Sequence, residues 1–130
     1  MKNKLRFLIV LLSSSFFLVF CNKSTSSSST VVCTTEFRTV TINVQGDTLD
    51  HFYTIRVTSG DTIRLNSGNT LGANTFPVLD DSYQSNIANR TEQFRFVGLK
   101  NNAVIVDELF TIKADQCHID YVSGNQTVIL

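Results

Sequence analysis

Few residues in this chain of 130 can do chemistry: three cysteines, two histidines and eleven carboxylates. Cys117 and His118 are adjacent, with Asp115 before them and Ser123 after, so a nucleophile, a base and an acid lie close in sequence. If residues 117–122 form a strand, neighbouring side chains point to opposite faces, and the thiol and imidazole cannot share a proton. No Gly-x-Ser-x-Gly elbow accompanies Ser123. A hydrolytic reading would require His118 or His51 in a pocket beside a carboxylate. Zinc is poorly served by two histidines and no Cys-x-x-Cys spacing. Asp80-Asp81, Asp47 with Asp50, and Asp107-Glu108 carry the oxygens calcium prefers, but without EF-hand spacing, and acidic residues in β turns usually cap the backbone. The expectation is a non-enzymatic chain with no metal and no cofactor.

Position and charge say more. Lys2, Lys4 and Arg6 precede a 14-residue apolar run from Phe7 to Phe20, and no acidic residue occurs before Glu36. That is the basic head and short apolar stretch of a secretory signal, shorter than the roughly 20 residues a membrane-spanning helix needs. Without those 20 residues the remaining 110 carry 8 basic and 11 acidic groups, a formal charge of −3. No clustered basic face is left to bind nucleic acid. Residues 22–30 are a Ser/Thr-rich polar stretch without hydrophobic periodicity, which reads as a tether.

The segment Leu18-Val19-Phe20-Cys21 resembles the lipobox of bacterial lipoproteins, with Phe20 where such boxes usually carry a small residue. The resemblance implies that Cys21 becomes the lipid-modified first residue of the mature chain. Several acyl chains hold a protein to a bilayer stably where one holds it only reversibly. Asn22 rather than Asp after the cysteine implies, by the same resemblance, outer-membrane residence. The expected organisation is a signal peptide over 1–20, a lipidated tether over 21–32 and one folded domain over 33–130.

With Cys21 assigned to lipid, Cys33 and Cys117 remain in an oxidising compartment, where pairing is the default and a pair of free thiols the alternative. From residue 36 onward the hydrophobic period is two. Val40, Ile42 and Val44 alternate with polar residues; so do Tyr53, Ile55 and Val57, then Ile63 and Leu65. Phe76–Leu79 reads as a short strand, confined to a sheet edge by Pro77, which cannot donate to a ladder. Residues 80–90 lack the strand pattern and predict one helical turn capped by Asp80 or Asp81. Phe94 and Phe96, the runs 103–106, 109–112, 118–122 and 127–130, and a hairpin turn at Ser123-Gly124-Asn125 complete about eight strands. The fold class is a single antiparallel all-β sandwich.

The stretches 38–44, 76–81, 94–98 and 115–119, with Ser123-Gly124, look like those of small bacterial lipoproteins, similar in layout to the carboxypeptidase-regulatory-like or transthyretin-like sandwich. That resemblance implies a binding or accessory role with no catalytic residues and transfers no ligand; beyond the membrane, the expected partner is a protein or glycan of unknown identity. Loops 66–74 and 80–90 are the candidate binding loops, through Asn69, Asn74, Asp80, Asp81 and Tyr83. The alternative is a structural spacer or assembly subunit that pairs through edge strands, such as the one beside Pro77. Asp47-Thr48-Leu49 and Asp61-Thr62-Ile63 also resemble the Asp-Thr-aliphatic acceptor that some Gram-negative bacteria O-glycosylate.

Overall fold

A computed structural model describes residues 31–65 and 71–130. The expected signal peptide, Cys21 and most of the tether, and Asn69 of the candidate loop, lie outside the described residues.

Eight strands form two facing sheets: β1 (Thr39–Gln45), β2 (His51–Arg56), β3 (Thr62–Ile63), β4 (Thr75–Asp80), β5 (Thr91–Lys100), β6 (Ala103–Ala114), β7 (Ile119–Ser123) and β8 (Thr127–Ile129). One sheet has the order β4-β1-β8 and the other β3-β2-β5-β6-β7. The fold is the all-β sandwich that the alternation predicts. All pairings are antiparallel except one, β1 with β8, where Asn43–Gln45 run alongside Thr127–Ile129. Ser123-Gly124-Asn125 is therefore not a hairpin turn: it carries the chain from the larger sheet to the smaller one. Gly124 is required there, because a Cβ would sit 2.7 Å from the Phe110 ring and the backbone has a φ of +137°. By contrast Asn101 and Asn102, both at positive φ, form the two-residue turn that closes the β5–β6 hairpin.

The core lies between the sheets. Ile42, Val44, Val78, Leu79, Phe94, Phe96, Phe110 and Ile112 are wholly buried in it. Two expectations are corrected in detail. Runs 103–106 and 109–112 are one 12-residue strand, because Asp107 faces outward to pair with Arg95 across the ladder. In β2 the faces are reversed. Thr54 is buried and Phe52 packs on the core, whereas Tyr53 and Ile55 are half-buried and Val57 is exposed.

The reversal has a local cause in β4. As predicted, β4 is an edge strand, and its register slips so that Val40 faces Leu79 while the next residue, Thr41, faces Pro77. Val78 is the extra residue of a bulge. Its carbonyl accepts a 2.7 Å hydrogen bond from the Thr54 hydroxyl, so a polar residue is buried in β2 without leaving a group unpaired.

The strands run between two ends. At one end lie the entering segment 33–38, the 3₁₀ helix Asp81–Asn86 and the 115–118 turn; at the other lie the loops 46–50, 71–74 and 101–102.

Candidate functional site

Cys33 and Cys117 are joined by a disulfide, with Cα atoms 5.3 Å apart across a sequence separation of 84. This fastens the segment preceding β1 to the turn before β7. The same end holds a hydrogen-bond hub on Asp81. Its Oδ2 accepts from the Arg38 amide at 2.8 Å and meets His118 Nδ1 at 2.7 Å, while Oδ1 accepts from the Ile119 amide at 2.8 Å. Burial pushes the Asp81 carboxyl up, but the Arg38 amide, the His118 ring and the Ile119 amide outweigh it and hold the group below the ordinary carboxylate range. A carboxylate has no proton to give, so Nδ1 carries the hydrogen. The other ring nitrogen of His118, Nε2, lies 2.9 Å from the Thr34 hydroxyl.

His118 thus does lie beside a carboxylate, and Thr34, His118 and Asp81 follow the order of hydroxyl, imidazole and acid. The residues nearest His118 in sequence, Asp115 and Ser123, are not part of this set. Asp115 does not face the imidazole: its Oδ1 accepts from the main-chain amides of Cys117 and His118, both at 2.7 Å, and these hold its carboxyl low. With those amides committed to Asp115, they are not free to stabilise an oxyanion beside Thr34. The His118 ring is almost fully buried. From the turn before β7 the ring ties the entering segment, through Thr34, to the 3₁₀ helix, through Asp81, which is the work of a fastening.

The remaining candidates at this end have structural partners. Asp80 caps the 3₁₀ helix, accepting from the Ser82 amide at 3.0 Å, as the sequence predicts. Tyr83 packs edge-to-face on Phe94, 6.1 Å between centroids. Among the described residues no group of three or more His, Cys, Asp or Glu is placed to hold a metal ion.

The opposite end is built differently. A cavity of about 340 Å³ opens between loops 46–50 and 71–75, bounded by Thr48, Leu49, Asp50, Phe52, Asn74 and Phe76 among others. Its aromatic wall is Phe52 and Phe76, edge-to-face at 5.4 Å, and Phe52 stacks in turn on Phe96 at 5.8 Å. Two anchors position the 46–50 loop. Leu49 lies over Gly98, where a Cβ would come within 2.6 Å of its side chain, so the absence of a side chain at 98 makes its seat. Asp50 accepts from the Asn101 amide at 2.7 Å, and its own amide donates to the Leu99 carbonyl at 2.9 Å. Lys100 pairs with Asp47 and is the main reason that this carboxyl is held low. Asn74, on the facing loop, has a φ of +60°, a conformation asparagine tolerates better than most residues, and its carbonyl accepts from the Val44 amide.

Asn74 is therefore the sequence-selected residue that the fold brings to a cavity, while Asp80, Asp81 and Tyr83 are gathered at the far end. The sequence marks Asp50 only as a calcium oxygen and Leu49 only within the acceptor-like motif, so their place at this cavity was missed. The available signal was the five-residue interval 46–50, longer than a tight hairpin needs and suited to a chain that changes sheet. Thr48, on the cavity rim, and Thr62, in β3, are both exposed, as their acceptor-like motifs would require.

No family model, curated protein or solved structure matches this chain.

Proposed function

We propose that this chain is a non-enzymatic, lipid-anchored binding module of the bacterial outer membrane. Cys21 is the lipidated residue, and the cavity between loops 46–50 and 71–75 is the ligand site. The observation that carries this reading is the placement of the cavity. The chain enters the sandwich at Cys33, at the disulfide end, so a module tethered through residues 21–32 is held by the end that does not bear the cavity. A cavity of about 340 Å³ falls within the range of small-ligand sites. An aromatic wall with a rim of hydroxyl, amide and carboxylate groups from Thr48, Asn74 and Asp50 suits a hydroxylated ring, such as the terminal unit of a glycan.

The spacer reading, with pairing at the edge beside Pro77, is disfavoured on physical grounds. Proline offers no donor there, and the bulge turns the Val78 carbonyl inward to Thr54. Both features keep a second strand off an edge.

The anchor is tested by Cys21→Ala, which should move the protein from the membrane to the soluble fraction; unchanged fractionation removes the lipoprotein claim. The cavity is tested by titrating the full chain in detergent with a panel of oligosaccharides, followed by thermal shift. At least one sugar should raise the melting temperature, and Ala73→Arg, an exposed residue at the cavity, should abolish that rise. A panel without response, or a response indifferent to Ala73→Arg, removes the ligand site.

A further inference from the structure

The two sheets do not close on each other along one side. β8 flanks β1 only at Asn43–Gln45, so among the described residues the first half of β1, Thr39–Ile42, has no strand beside it there. Main-chain direction alternates along a strand. The Val44 amide and the Arg38 carbonyl bond toward the β4 side, to Asn74 and Asp81, whereas the Asn43 amide and the Gln45 carbonyl bond toward β8, to Gln126 and Leu130. The peptide groups of Thr39 and Thr41 therefore face the open side, where Gln126 Nε2 reaches the Thr41 carbonyl at only 3.5 Å. Across the opening stands β7, the last strand of the larger sheet, bulged at Val122. Between them is a cleft of about 350 Å³ lined by Phe37, Arg38, Val40, Ile119, Tyr121 and Gln126. Val40 and Ile119 are buried, whereas Phe37 is 64% and Tyr121 41% exposed.

We propose that this seam accepts an extended segment of another protein by strand addition to β1, in line with β8. The chain's own last strand indicates what the segment must look like. In β8 Val128 packs against the core while Thr127 and Ile129 are exposed. A segment continuing that slot sets every second side chain over Val40 and Ile119, so those positions are aliphatic, and β-branched residues suit the pleat. The ligand is uncharged in this stretch, because the charges on the walls pair with one another: Arg38 holds Asp120 at 2.5 Å and Glu36 at 3.3 Å. It contains no proline, since the Thr39 and Thr41 peptide groups on the open side present both donors and acceptors. The other edges offer less: β4 is guarded by Pro77 and its bulge, and β3 is two residues long. β7 is interrupted by its own bulge and β8 is three residues long, which leaves the open half of β1 as the acceptor.

The probe is a synthetic peptide of alternating threonine and valine, seven residues long as a design choice of about one strand length. A control peptide carries aspartate at the central valine. Amide hydrogen exchange of the full chain in detergent is followed at residue resolution with each. The Thr–Val peptide should slow exchange at Thr39 and Thr41 by at least about tenfold, with no effect from the control. Phe37→Asp and Tyr121→Lys, both at exposed positions, should weaken that protection, while Ala73→Arg at the sugar cavity should leave it intact. Unchanged exchange at Thr39 and Thr41, protection confined to β3 or β4, or protection that rises with protein concentration in the absence of peptide would each overturn the proposal. The last outcome would assign the seam to a second copy.

Discussion

The two ends of the sandwich are held by different means. At the disulfide end one covalent link and the Asp81 hub tie together segments distant in sequence: Cys33 to Cys117, and Asp81 to Arg38, His118 and Ile119. At the cavity end loop 46–50 is held by the seat of Leu49 on Gly98, by the Asp50 bonds to the 99–101 hairpin and by the Lys100–Asp47 ion pair. The first arrangement opposes movement whether or not a ligand is present. The second leaves a cavity with two aromatic rings at its wall. In a small domain, rigidity concentrated at one end lets the loops of the other stay open.

That contrast sets an order of expected effects. Cys33→Ser breaks the one cross-link among the described residues that survives unfolding. Chain-entropy arithmetic for a separation of 84 puts the loss at about 4 kcal/mol. Thermal melting of the variant should show a fall well beyond ten degrees, by the approximate scaling of about 4–8 °C per kcal/mol for domains of this size. An unchanged melting temperature would mean that the link does not stabilise this end. Asp81→Ala comes next, leaving the Arg38 and Ile119 amides and the His118 ring without their acceptor, at about 3 kcal/mol. Its effect should appear first as faster amide exchange at Arg38 and Ile119; exchange unchanged at both would remove Asp81 as the hub.

Acid should act on the same end. The carboxyls of Asp81 and Glu92 are both held below their ordinary range, Glu92 chiefly by the Arg56 guanidinium and Asp81 by the groups already named. A depressed carboxyl contributes stability that is complete above its unfolded pKa and is lost as pH falls through its folded one. The domain should therefore hold its full stability above about pH 5 and lose it progressively below about pH 4. Asp81→Asn should flatten that slope, as measured by denaturant melts at several pH values; an equal slope in the variant would place the acid response elsewhere.

The cavity end gives the smaller changes. Leu49→Ala should cost about 2 kcal/mol, since the side chain is nearly buried but lies at a margin that can collapse. Unlike the disulfide-end variants, it should reduce sugar response more than stability demands, because the loop loses its seat. Lys100→Ala should cost less than about 1 kcal/mol, as expected for an ion pair left partly in water. A Lys100→Ala variant that melted as low as Asp81→Ala would erase the difference between the ends.

Much of this was legible in the residues themselves. Alternation located nearly every strand, Pro77 marked an edge, Asp80 marked a cap, and the odd number of cysteines left Cys33 and Cys117 as partners. The misreadings share one cause. Alternation is a local property, and it names two faces without saying which one the second sheet will cover. In β2 the aliphatic and aromatic series Tyr53, Ile55 and Val57 read as the inner face. Thr54 was nonetheless drawn inside, because a carbonyl exposed by the β4 bulge needed a donor. Ser123-Gly124-Asn125 has hairpin chemistry, but the glycine serves close passage past Phe110 on the way to the other sheet. Nearness along the chain was no guide to the partners of His118: the imidazole meets Asp81 and Thr34, which are 37 and 84 residues away.

The sequence by itself determined a two-layer β domain and most of its turns, because these follow from side-chain period and backbone preference, and it singled out Cys33 and Cys117 once Cys21 is read as lipidated. Only the tertiary structure decided which end is fastened, where a cavity opens and which strand edge stays free. Those depend on how two sheets of unequal width, three strands against five, are laid over one another. No run of neighbouring residues encodes that offset; it emerges when distant segments compete for the same buried faces.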